Sequence, residues 1–193
     1  MAEWKRKGVC RLTKRLQPAL PYIGLPAITA AALILLSGRT SALLQLRYVL
    51  LVVFGYVAAV GDIKEKRIPN KLALAMLAAW VLIMTPILFY DTEQAVALLA
   101  DSALGFTVGG GMFLLVYLVS RKGIGGGDVK FMAVSGLYLG LYGVLPAMLC
   151  GTVFAAATGL VLILLKRIGR KDPIPLAPFL YAGFLLTIVF ALY

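Results

Sequence analysis

Long apolar runs separated by short polar stretches, most of them basic, dominate this chain. A helix needs about 20 apolar residues to cross a hydrocarbon core ~30 Å thick. The pattern predicts spanning helices near Ala19–Ser37, Leu43–Gly61, Leu72–Phe89 and Ala95–Ser120, and a last one over Gly183–Tyr193 that begins near Pro178. Before the last lies Phe131–Leu165, 35 residues without a charge. As one helix it would run ~52 Å at 1.5 Å per residue, too long for one crossing. Gly140, Gly143 and Pro146 mark a break, giving a short helix, Val129–Leu139, and a long one, Val144–Leu165. The expected fold is an all-α polytopic membrane bundle of about seven segments, one of them short. A basic tail, residues 1–18, precedes a membrane-embedded domain, residues 19–193.

Composition agrees with the pattern. Of 193 residues, 62% are apolar and 14% charged, against about 45–50% and 25% in soluble domains. A soluble globule of this size could not bury so much apolar surface. That excludes a soluble enzyme, a disordered chain and a secreted disulfide scaffold. The tail is long and basic and the run after it is long enough to span, so the start does not read as a cleaved signal. With no histidine, Ser-His and Cys-His catalysis and His-ligated metals are excluded. Cys10 and Cys150 are too few for a disulfide framework or a cysteine-rich zinc site.

The net charge of +11 reads as orientation and contact with anionic lipid rather than nucleic-acid binding. The tail, Asp62–Lys71, Arg121–Lys130 and Lys166–Lys171 hold 17 of the 19 Lys and Arg; Arg39 and Arg47 fall on the other side. The positive-inside rule then places the N-terminus in the cytoplasm and the C-terminus outside. The small-residue pairs Gly105/Gly109 and Gly136/Gly140 predict close helix packing.

An Asp at a span's centre costs roughly 2.5–3.5 kcal/mol on insertion scales, so acids near spans call for a role. Glu3, Asp91, Glu93 and Asp172 read as solvated loop charges, and Glu65, between Lys64 and Lys66, as half of a local ion pair. Asp101, near the outer end of the fourth predicted helix, reads as an interfacial or packing acid. Asp62 and Asp128 remain, both at cytoplasmic helix ends. Two carboxylates brought together can share a proton, so that one activates water while the other protonates a carbonyl oxygen or leaving amine. A helix C-terminus disfavours negative charge at Asp62 and a helix N-terminus favours it at Asp128. Gly123–Gly127 permits a tight, unusual backbone before Asp128. The plain alternative is an Asp62–Arg67 pair and a simple helix cap at Asp128. A phosphate loop is disfavoured because no Gly-Lys-Ser/Thr follows, and two carboxylates make a poor Mg²⁺ site.

Asp62 followed by Arg67-Ile68-Pro69-Asn70, then Gly125-Gly126-Gly127-Asp128-Val129-Lys130, resembles the two signatures of type IV prepilin peptidases, GxGD aspartyl proteases of the membrane. Ile174-Pro175-Leu176-Ala177-Pro178-Phe179 is similar to the family's I-P-x-x-P-F element. The resemblance covers about Gly55–Phe190. It implies that Asp62 and Asp128 are the catalytic aspartates, supported by Arg67, Pro69, Asn70, Gly125, Gly126, Gly127 and Lys130. It implies cleavage, without cofactor or metal, of the leader of a prepilin-like or preflagellin-like subunit with a basic leader and an apolar helix. Cleavage falls at the cytoplasmic face of a prokaryotic cell membrane. Long family members carry Cys-x-x-Cys motifs and methylate the new N-terminus; here only Arg39–Arg47 separates the first two predicted helices and no Cys-x-x-Cys occurs. The expectation is a peptidase without methyltransferase activity. The rivals are a presenilin-like or signal-peptide-peptidase-like protease, disfavoured by Gly61 before Asp62, and a proton-coupled transporter using the same acids.

Overall fold

The computed structural model describes residues 42–120, 124–167 and 174–190. These form five helices: α1 (Ala42–Glu65), α2 (Asn70–Tyr90), α3 (Thr92–Val119), α4 (Gly126–Leu164) and α5 (Ala177–Phe190). No strand occurs among the described residues. Helices α1 to α4 are long and apolar enough to cross a membrane, and α5 is a shorter apolar helix. The predicted spans from the second to the last correspond to these elements. The first, Ala19–Ser37, and the basic tail lie outside the described residues, so the expected count of about seven rests on a segment not described.

The helix ends follow from local chemistry. Helix α1 stops at Lys66, whose positive φ of 52° is a left-handed helix end and whose N–H bonds the Asp62 carbonyl at 2.8 Å. Pro69, extended at φ −68° and ψ 138°, then opens α2. Asp91 both ends α2 and caps α3: its N–H bonds the Ile87 carbonyl at 2.9 Å, while its carboxylate accepts the Gln94 N–H at 3.0 Å. One residue thus turns the chain back between two helices.

Helix α4 is broken, at Gly140 (φ 71°, ψ −177°). A positive φ of that size favours glycine. The Asp101 carboxylate stands where a Cβ on Gly140 would be, and it accepts the Leu141 N–H at 2.9 Å. Asp101 is therefore the cap, supplied by α3, of the resumed half of α4. The sequence marked a wider break through Pro146, but the helix continues from Leu141 through Pro146.

The first half of α4 is the axis of the bundle: Phe131–Gly140 is buried at every position. A helix apolar all round belongs inside. Gly105 meets Gly136 and Gly140 backbone-to-backbone, and Gly109 meets Met132, so α3 and α4 run antiparallel in close contact. This is the packing expected of those small residues. Tyr138 donates to the Met76 carbonyl at 2.6 Å and Trp80 to the Leu137 carbonyl at 3.1 Å, which fastens α2 to the same axis. Helix α5 lies antiparallel to α1, with Gly55 against Tyr181 and Phe184.

Candidate active site

The last turn of α1 carries Asp62, which is 6% exposed. Its Oδ2 accepts the backbone N–H of Ala177, the first residue of α5, at 2.9 Å and 115 residues away in sequence. The acid thus sits between the C-terminal end of its own helix and the N-terminal end of another. The helix-end contrast expected between Asp62 and Asp128 is therefore offset, because both carboxylates face a helix N-terminus.

Asp128 is the third residue of α4, with Gly125 at the cap position. The short helix was expected to begin at Val129; it begins three residues earlier, which puts Asp128 at the third position, from which an acid side chain reaches back to the cap residue's N–H. The Asp128 carboxylate folds back over this turn and accepts the Gly125 N–H, and Asp62 lies close enough for its charge to act on it. Asp128 Oδ1 is buried and has no hydrogen-bond partner. Two acids 66 positions apart are thus brought into one electrostatic unit, with one oxygen unengaged.

The glycines before Asp128 work by size. No positive φ occurs at Gly125, Gly126 or Gly127, so the freedom these glycines permit is used for close approach rather than for a left-handed turn. A Cβ on Gly125 would stand 2.9 Å from Asp128 Oδ2, and one on Gly127 would meet the Ile68 carbonyl oxygen at 3.1 Å and the Ile68 Cβ at 3.2 Å. Gly126 has nothing within 4 Å of that position. The Ile68-Pro69-Asn70 turn therefore lies directly against the turn that presents Asp128. Lys130 Nζ donates to Asn70 Oδ1 at 3.0 Å. Arg67 is exposed, and the hydrogen bond that holds the Asp62 carboxylate comes from the Ala177 N–H.

Of the site residues read from sequence, Asp62, Asp128, Gly125, Gly127, Pro69, Asn70 and Lys130 come together at one end of the bundle. Asp101 does not join them. It meets Leu141, thirteen residues beyond Asp128 or roughly 20 Å along the axis. Two contributors were not foreseen in their roles: the Ala177 N–H and the backbone of Ile68. Both lie inside motifs visible in the sequence, but each acts through backbone atoms that residue type does not reveal.

The pair offers general acid–base chemistry in a partly buried, low-dielectric setting, where a carboxylate can take a proton from water and a carboxylic acid can give one. The family model of the type IV leader peptidase family matches residues 49–164, more than half of the chain. A prepilin leader peptidase/N-methyltransferase of Bacillus subtilis is 32% identical over 137 residues, 69% of this chain and 51% of that protein. Proteins of the same name from Stutzerimonas stutzeri and Xanthomonas campestris are 31% and 29% identical, covering 68% and 62% of this chain and 45% and 41% of theirs. The chain spans about half the length of the curated relatives it matches. No solved structure matches it. With both motif-bearing helix ends inside the matched region, the chain belongs to the type IV leader peptidase family.

Proposed function

We propose that this chain is a membrane aspartyl endopeptidase that removes the leader of a prepilin-like or preflagellin-like subunit, with Asp62 and Asp128 as its catalytic pair. The observation that carries the reading is that the turn presenting Asp128 packs on the Ile68-Pro69-Asn70 turn that follows Asp62, which sets the two acids close enough for their charges to interact. In the proposed reaction one carboxylate takes a proton from water while the other gives its proton to the scissile carbonyl oxygen. Water oxygen bonds to the carbonyl carbon. Collapse of that adduct breaks the C–N bond; the leaving amine takes the proton that the first carboxylate received from water, and the adduct's hydroxyl returns a proton to the second, which restores the pair. Two carboxylates and water suffice, so no cofactor takes part, and no covalent intermediate forms. Family membership favours this chemistry over proton-coupled transport.

The substrate would present a basic leader in the cytoplasm and an apolar helix that reaches the site through the bilayer. This orientation rests on the 17-to-2 division of Lys and Arg. A cysteine at position 91, in the α2–α3 turn, is then expected to be labelled only from outside the cell. Labelling only from the cytoplasm would overturn the orientation.

Co-expression with a prepilin-like test protein tests the activity. Mass spectrometry is expected to show a product shortened by its leader and unmethylated at the new N-terminus. Uncut protein would overturn the reading, and methylation dependent on this chain would overturn its cleavage-only form.

A further inference from the structure

We infer that the backbone N–H of Ala177 is a positioning group for the reaction, holding the Asp62 carboxylate in its working orientation; this rests on the peptidase reading above. The bond is 2.9 Å long and both residues are buried. Amides in the first turn of a helix have no intrahelical partner, and a charge-assisted bond from such an amide is short and directional. The sequence of this turn leaves one such donor. Pro178 has no N–H, and the Phe179 N–H is engaged by the Leu176 carbonyl at 3.1 Å. Of the first three residues of α5, only Ala177 can serve a side chain.

Packing fixes where that donor stands. A Cβ on Gly55 of α1 would meet Tyr181 at 2.9 Å, so α5 lies tight against the helix that carries Asp62. Gly183 meets the Ala147 backbone, and a Cβ on Gly151 would meet Leu180 at 2.9 Å, which presses α5 against the resumed half of α4, while the ring of Phe184 lies 5.6 Å from that of Phe131 in the half that carries Asp128. Helix α5 is therefore gauged against both acid-bearing helices, and its first amide sets the carboxylate's direction. The Pro-x-x-Pro segment works here through Asp62, by a backbone amide.

The test compares Ala177→Pro, which deletes the N–H, with Ala177→Gly, which keeps it, in the full chain acting on the prepilin-like test protein. A misplaced reacting group costs on the order of 100-fold in rate. The Pro variant is expected to lose kcat on that scale with KM within about twofold, while the Gly variant stays within about threefold of the wild type. Membrane level and melting temperature are measured for each. If Ala177→Pro does not accumulate, an α-hydroxy acid placed at position 177 removes the N–H as an ester, and the same loss of kcat is expected. Normal kcat without the N–H, equal loss in Ala177→Gly, or a change confined to KM overturns the inference. A wild-type chain that cuts nothing overturns the peptidase reading instead, so the two failures are distinct.

Discussion

Lys130 Nζ lies 3.0 Å from Asn70 Oδ1, joining the fifth residue of α4 to the first residue of α2. This bond ties the turn that presents Asp128 to the turn that follows Asp62. A net hydrogen bond of about 1 kcal/mol corresponds to roughly fivefold in an equilibrium or rate. Lys130→Met and Asn70→Leu are each expected to lower cleavage by about that factor, with little change in melting temperature because the bond is exposed. As partners, they should be non-additive, so the double variant should cut about as well as either single one. A product of the two losses would show that the residues act separately.

The Ile68–Gly127 contact predicts a sharp difference between adjacent glycines. A Cβ at Gly127 asks the Ile68 backbone to give by a few tenths of an ångström, and a branched side chain asks for more, whereas Gly126 faces open space. Overpacking costs about 1–3 kcal/mol, and here it moves the turn beside Asp128. Gly127→Val is expected to lose most cleavage while still reaching the membrane. Gly126→Ala should retain it. Cleavage assays normalised to membrane level compare the two, and equal behaviour would contradict the packing described.

At the other end of the α4 axis, Asp101→Leu removes the acceptor of the Leu141 N–H. A buried donor left unpaired costs about 1–3 kcal/mol, so this variant is expected to melt at lower temperature. Asp101→Asn keeps an acceptor oxygen and should melt close to the wild type. It should also keep its cleavage activity, because Asp101 is remote from Asp62 and Asp128. Loss of cleavage in a stably folded Asp101→Asn variant would place this acid in the reaction.

The helices α1 to α4 were readable because each is dominated by an apolar run, with a lone charge at most inside it, such as Arg47 in α1 and Asp101 in α3, and with charge or proline at its ends. The α4 break was only partly readable. Gly140, Gly143 and Pro146 were all candidates, and a break settles where an acceptor awaits the freed amide; Asp101, 40 residues before Leu141, supplies it. The two acids stood out because charge is costly in a membrane and both lay at the same side by loop charge. Their meeting depends on how α1, α4 and α5 pack, which no local pattern encodes. The roles of Ala177 and Ile68 were hidden for a simpler reason: both use backbone atoms, which every residue has.

The most direct test of the account is cleavage of a co-expressed prepilin-like protein by Asp62→Asn, Asp128→Asn and the double variant, with each membrane level measured by immunoblot. Asn is nearly isosteric with Asp and keeps hydrogen bonding, but it cannot share the proton or activate water. If the two acids act as one unit, each single variant falls by at least about 100-fold and the double variant is little worse than either. Substantial cleavage by either single variant at normal membrane level would contradict the account.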